Sequence, residues 1–123
     1  ESLQAQDLDD YWLKSNATYY GPALTTDQDL AAEWSRIPHF YTPIYVYKYA
    51  TGYAAATAFA RSILDRQPGA VEKYLAFLHS GASDYPLNLL QQAGVDFNTT
   101  RPLEITLDNF AAKLQELTKL LSR

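Results

Sequence analysis

Glycine and proline residues divide this 123-residue chain into segments of helical length. The principal breaks are Gly21-Pro22, Pro38, Pro68-Gly69, Gly81 and Gly94. Between the breaks, apolar side chains recur every three or four residues, which is the spacing of one face of an α-helix. No useful length of sequence alternates apolar and polar residues as a half-buried strand does. The pattern therefore predicts an all-α fold of about six helices.

Capping and helix-breaking residues set the bounds of these helices. Asp27 offers an N-cap oxygen, and Pro43 and Pro102 suit the first turn of a helix. The residue before a proline avoids helical geometry, so Ile37 should end the second helix. The first helix shows no clear capping residue. The predicted ranges are about 1–20, 27–35, 43–66, 70–79, 86–93 and 100–121. The last helix is expected to pack on Leu103, Ile105, Leu107, Phe110, Leu114, Leu117 and Leu121.

Composition argues against several classes of function. The net charge of −4 and the pI near 5.0 leave no basic stripe for phosphates, so no nucleic-acid partner is expected. No apolar run approaches the roughly 18 residues of a membrane span, and nothing at the start resembles a signal peptide. The absence of cysteine excludes disulfides, thiolate chemistry and cysteine-ligated zinc. These features suit a cytoplasmic protein with no membrane partner.

Short catalytic motifs are also missing from the sequence. It contains no Gly-rich phosphate loop and no Gly-x-Ser-x-Gly elbow. Its two histidines, His39 and His79, lie far apart, and neither belongs to a His-Glu-x-x-His helix. We interpret His79 as a partner of a helix dipole. The clustered aspartates lack the spacing and glycine of a calcium loop and are expected to be solvated or capping, namely Asp7, Asp9, Asp10, Asp27 and Asp29.

A polar binding surface is predicted in the stretch Trp34–Tyr53, which holds His39, two of six prolines and five of ten tyrosines. Phenols donate and accept hydrogen bonds, and imidazole titrates near neutral pH. On a helix over 43–66, Tyr45 and Tyr49 share a face while Tyr47 points nearly opposite. The alternative is that the tyrosines are core residues with tethered hydroxyls.

Within this stretch, Glu33–Tyr41 (EWSRIPHFY) and Tyr45–Gly52 (YVYKYATG) carry a family resemblance. They resemble the C-terminal part of oligoendopeptidase F, in the thimet-oligopeptidase-like family of zinc metallopeptidases. The resemblance continues through Ala70–Leu75, Gly81–Pro86 and Leu90–Asp96, and so covers most of the chain. It implies an all-helical cytoplasmic peptidase that cuts short peptides inside a deep cleft.

The resemblance also implies which part of the enzyme this is. In the family, zinc is held by the two histidines of a His-Glu-x-x-His helix and by a later glutamate, and the motif's own glutamate activates the water. None of these is present, so they are expected upstream of Glu1. Residues 1–123 would form the C-terminal portion of the catalytic domain and one wall of the cleft. This portion is expected to bind no zinc and to be inactive without the upstream zinc-bearing part.

Candidate site residues follow from the same resemblance. The family uses a histidine and tyrosines downstream of the zinc to hydrogen-bond the scissile carbonyl as it becomes an oxyanion. His39 matches that histidine. Several registers are open for the tyrosines, and helix geometry favours Tyr45 and Tyr49 for transition-state stabilisation. Tyr41 is expected to bind substrate near the turn, and Tyr47 to pack.

A different class of function fits the same residues. A stand-alone helical module with a tyrosine-rich groove would bind a peptide or a protein partner without hydrolysis. A His-Glu-x-x-His motif in the parent reading frame upstream of Glu1 would favour the peptidase, and a parent that begins at Glu1 would favour the binding module.

Overall fold

The structure is a computed structural model that describes residues 2–122. Regular secondary structure in this range is helical throughout, which confirms the predicted all-α class. None of the helices described is both long enough and apolar enough to cross a membrane. The α-helices are α1 (Ala5–Tyr20), α2 (Tyr47–Leu64), α3 (Ala70–Ser80), α4 (Pro86–Gln92) and α5 (Arg101–Leu121).

The chain forms two compact units, one up to Tyr47 and one from Lys48 onwards. The first contains α1 and three 3₁₀ turns, at Gln28–Leu30, Glu33–Arg36 and Pro38–Tyr41. The second contains the rest of α2 and all of α3, α4 and α5. The ends of α3, α4 and α5 lie within one residue of the predicted ends. Glycine or proline marks both ends of α3 and α4 and the start of α5.

Helix α1 has a cap that the sequence analysis missed. The backbone N–H of Gln4 donates to Oδ2 of Asp7 at 2.9 Å, so the helix begins at Ala5 and residues 2–4 are not helical. At the other end Gly21 has a φ of +70° and its N–H donates to the carbonyl of Ala17 at 3.0 Å. Glycine adopts this left-handed geometry without steric strain, which confirms the predicted end of the helix.

The second predicted helix is wrong, since the structure has two short 3₁₀ turns over that range. Asp27 caps the first, accepting the N–H of Asp29 at 3.0 Å. A segment of this length forms too few hydrogen bonds to offset the cost of helix nucleation, so tertiary contacts decide its shape. In the second turn, Nε1 of Trp34 donates to Oδ1 of Asp9 on α1 at 2.7 Å. The prediction that Asp9 is solvated or capping is therefore wrong. Asp9 instead joins the 3₁₀ turn to α1.

An aromatic contact attaches the third 3₁₀ turn to α1. The rings of Trp12 and Phe40 meet edge to face, with centroids 5.6 Å apart and an interplanar angle of 67°. Such pairs stabilise by about 0.5–1.5 kcal/mol beyond the area they bury. Nε1 of Trp12 is buried and has no hydrogen-bond partner among residues 2–122. The first unit thus depends on a few aromatic side chains.

Helix α2 begins at Tyr47 and not at Pro43 as predicted. The cause is Ile44, whose φ of +53° is left-handed and cannot continue a right-handed helix. Tyr45 therefore precedes the helix, and the predicted face shared by Tyr45 and Tyr49 does not exist. The helix ends at Leu64, followed by the predicted turn over 67–69.

The core of the second unit is built around Phe59 on α2. Its ring lies 5.2 Å from that of Tyr74 and 5.3 Å from that of Phe77, both on α3. Small residues of α2, including Ala55 and Ala58, are buried beside it and let the neighbouring helices approach. The remaining members of this core are Leu90, Ala93, Val95, Phe97 and Ile105.

Helix α5 starts as predicted, but Thr100 does not cap its backbone. The hydroxyl of Thr100 donates instead to Oε1 of Glu104 at 2.6 Å. This bond lowers the pKa of the exposed Glu104 carboxyl below its ordinary value, and the guanidinium of Arg101 lowers it further. Ile105 packs on the core, whereas the other apolar residues predicted to pack are exposed.

Replacement of Phe59 by alanine tests this core. Phe59 is 6% exposed, so Phe59→Ala should lower the free energy of unfolding of the second unit by about 3–5 kcal/mol. The matched control is Tyr53→Ala on the same helix, where the ring is 65% exposed and the loss should be about 0.5 kcal/mol. Urea denaturation followed by circular dichroism measures both, and equal losses would contradict the core described.

Candidate functional site

The loop before α2 carries the predicted histidine on an exposed 3₁₀ turn. Pro38 opens the turn, the N–H of Phe40 donates to the carbonyl of Ile37 at 3.1 Å, and the N–H of Thr42 donates to that of His39 at 3.3 Å. These bonds fix the backbone on both sides of His39. Its imidazole therefore stands on a defined backbone at the surface of the described chain.

The ring of Tyr45 stacks on the imidazole of His39. Their centroids are 5.5 Å apart and their planes differ by 24°. The left-handed conformation of Ile44 lies between the two residues and redirects the chain before Tyr45. Such a conformation is rare for a β-branched residue and carries strain, which proteins tend to retain at functional sites. The structure thus brings together two of the four predicted site residues.

Tyr41 lies in the same loop but is held by a different contact. Its hydroxyl donates to the backbone carbonyl of Ser35 at 2.7 Å, while the side chain as a whole is 65% exposed. Because the phenolic hydrogen is used in this bond, the oxygen keeps only its acceptor capacity. Tyr41 can accept a hydrogen bond from a ligand without changing conformation.

The other tyrosines of the stretch lie in the first turn of α2. Tyr49 is 57% exposed and belongs to the second unit, while Tyr47 ends the first unit. Tyr47, predicted to pack, is 56% exposed. Both phenol rings of this helical turn are therefore accessible in the part of the protein described.

The second histidine has a local role. Nδ1 of His79, in the last turn of α3, lies 2.7 Å from the carbonyl oxygen of Leu75. A carbonyl only accepts, so Nδ1 carries the hydrogen and donates. Within residues 2–122, no three histidine, cysteine, aspartate or glutamate side chains are grouped so as to hold a metal ion.

The second unit contains a cavity of about 430 Å³ that was not predicted from the sequence. Its apolar lining includes Phe59 and Val95, and its charged lining includes Arg61, Lys73 and Arg101. Arg61 is paired with Asp65, Nε to Oδ2, at 2.8 Å. The three cations come from different helices, so their spacing along the sequence could not predict this cavity. None of the predicted site residues lines it.

Comparison with known proteins gives consistent matches. Residues 1–109 match the sequence model of peptidase family M3. Over all 123 residues the chain is 42% identical to oligopeptidase PepF of Bacillus subtilis (strain 168), covering 18% of that protein. It is 38% identical over the same length to the plasmid oligoendopeptidase F of Lactococcus lactis subsp. cremoris, covering 20% of it.

A solved structure matches as well. The crystal structure of oligoendopeptidase-F from Enterococcus faecium aligns with 100% of this chain and 24% of its own, at 45% identity and a TM-score of 0.93. The chain thus spans about a fifth to a quarter of the length of these relatives. Since the family match covers most of its length, the chain belongs to peptidase family M3.

Proposed function

We propose that this chain is part of a peptidase that hydrolyses short peptides, in which it forms one wall of the substrate cleft. Membership of peptidase family M3 supports the reaction type, and relatives named oligopeptidase or oligoendopeptidase support short peptides as substrates. The observation that carries the proposal is the stack of His39 and Tyr45 on an exposed loop, because it places a tyrosine against the histidine that the resemblance assigns to the transition state.

The proposed role of this stack is to stabilise negative charge. When water attacks a peptide carbonyl, its oxygen gains charge, and N–H and O–H donors that meet it lower the barrier. In a stacked pair the polar atoms lie at the ring edges. We propose that the imidazole N–H of His39 and the hydroxyl of Tyr45 both donate to an oxygen placed beside the stack. The contact also limits the motion of both rings, so less entropy is lost in the transition state.

Two further tyrosines complete the proposal. Tyr41 binds the substrate as a hydrogen-bond acceptor, for instance from a peptide N–H, because its own hydrogen is donated to Ser35. Tyr49 is a further donor to the oxyanion. The resemblance implies tyrosines without fixing their register, so for Tyr49 the support is its exposure on the first turn of α2.

The zinc of this peptidase is proposed to be held in the upstream part of the polypeptide, by the His-Glu-x-x-His helix and the later glutamate that the family resemblance implies. We therefore assign no metal ligand within residues 2–122. What this chain contributes is hydrogen-bond donors, acceptors and the wall that carries them. The cytoplasmic location that the family resemblance implies stays a prediction.

If the zinc and the oxyanion donors lie in different parts of one enzyme, this chain should not be active alone. The 123-residue chain should be free of zinc and inactive, and the full-length protein should bind zinc and hydrolyse a quenched fluorescent oligopeptide. Metal analysis and fluorimetry on both preparations check this. Activity in the chain alone would mean that the catalytic groups lie within it. Inactivity of a zinc-loaded full-length protein would contradict the proposed peptidase function.

Removal of the imidazole tests the oxyanion role. In the full-length enzyme His39→Ala should lower kcat about 10²- to 10³-fold, the typical effect of losing one donor to an oxyanion, while zinc content stays unchanged. His79→Ala is the matched control, because that imidazole bonds only the carbonyl of its own helix among the contacts described. Turnover of His39→Ala at the control level would remove His39 from the mechanism.

The same assay separates the contribution of the Tyr45 hydroxyl to turnover from the contribution of its ring. Tyr45→Phe keeps a ring that can stack on His39 but removes the donor, and it should lower kcat by about 10²-fold. Tyr45→Ala removes both and should lower it further, because the imidazole also loses its stacking partner. Wild-type turnover in Tyr45→Phe with reduced turnover in Tyr45→Ala would make Tyr45 a positioning residue only.

A further inference from the structure

Helix α5 turns most of its apolar residues away from the unit to which it belongs. One face carries Ile105, which packs on the core, and also Asp108, Asn109 and Ala112, which line the cavity of the second unit. The opposite face carries an apolar row that is between 46% and 78% exposed. We name this row the outer stripe, and it consists of Leu103, Leu107, Phe110, Leu114, Leu117 and Leu121.

The outer stripe has the spacing of a helix–helix interface. Its members alternate four and three residues apart, which keeps them in one line along the 21 residues of α5. Helices at the surface of soluble proteins normally place the apolar face on their own core and the polar face in water. In α5 the apolar row lies instead on the exposed side of the helix, and polar residues such as Asp108 and Asn109 lie on the side of the core. A contiguous apolar row of this length indicates a surface that another part of a protein covers.

The flanks of the stripe indicate what kind of partner covers it. In a two-stranded coiled coil, these flanking positions usually carry charges that pair with the other helix. Here they are mostly small or uncharged, including Thr106, Ala111 and Thr118, and the flanking Lys113 bonds Glu116 of its own helix at 2.8 Å. A stripe with such flanks suits a broad contact with several helices of a bundle.

The charges of α5 do not favour a lipid surface. Interfacial membrane helices concentrate lysine and arginine on the polar face. In α5 acidic and basic residues are equal in number, and they are Arg101, Lys113, Lys119, Glu104, Asp108 and Glu116. The outer stripe is therefore suited to protein and not to anionic lipid.

We propose that helices from the rest of the same polypeptide, outside this chain, cover the outer stripe of α5. The chain covers between 18% and 24% of these relatives, so most of such a polypeptide lies outside it. In the Enterococcus faecium structure the matching segment is 24% of one chain, so most of that molecule lies outside the segment. This inference does not depend on the catalytic roles proposed for His39 and Tyr45.

Cysteine labelling in the full-length protein tests the inference. This chain contains no cysteine, so after replacement of any cysteines elsewhere by serine, Leu114→Cys introduces one thiol on the stripe. Gln115→Cys is the matched control, one residue further and well off the stripe. We expect a maleimide to label Leu114→Cys about 100-fold or more slowly in the native protein than in urea. Gln115→Cys should label at nearly equal rates in both.

The outcomes distinguish the occupants of the stripe. Protection of Leu114→Cys that persists on dilution of a monomer, as judged by light scattering, supports cover by the same polypeptide. Protection that disappears when a dimer is diluted would instead assign the stripe to a second copy. Fast labelling at Leu114 in a folded protein would overturn the inference. Leu117→Cys provides a second position if Leu114→Cys does not fold, and failure of peptidase activity alone would leave these results unchanged.

Discussion

The left-handed backbone at Ile44 is the constraint on which the candidate site depends. A helix that ran through this residue would have carried Tyr45 into α2, on a face with Tyr49. Because the chain turns at Ile44 instead, the ring of Tyr45 meets the imidazole of His39. The 3₁₀ turn that begins at Pro38 fixes the histidine side of this contact. A strained backbone next to two residues with hydrogen-bonding chemistry is typical of sites under functional constraint.

How much of this was predictable depends on the range of the interactions. The bounds of α3, α4 and α5 follow from local glycine and proline signals, which act within a few residues. The bond from Trp34 to Asp9 joins positions 25 residues apart and leaves no local pattern. The positive φ of Ile44 is the opposite of what a β-branched residue prefers, so no sequence rule predicts it. His39 was identified through resemblance, whereas its stacking partner required the structure.

Helix α5 shows a second limit of sequence patterns. The three- and four-residue spacing identified its apolar face correctly, yet that face does not pack on the core formed by Phe59 and its neighbours. Periodicity reveals that a face is apolar and not which element covers it. Nε1 of Trp12 is likewise buried without a hydrogen-bond partner among residues 2–122. Both observations agree with a chain that spans a small part of the length of its relatives.

We propose that His39 and Tyr45 face the scissile carbonyl of a bound peptide. A crystal structure of the full-length protein with a phosphinic peptide tests it directly, because the tetrahedral phosphinyl group imitates the intermediate of peptide hydrolysis. We expect the imidazole nitrogen of His39 and the hydroxyl of Tyr45 to lie within about 2.7–3.1 Å of a phosphinyl oxygen. A bound inhibitor with both side chains outside the substrate cleft would contradict the proposed role of His39 and Tyr45.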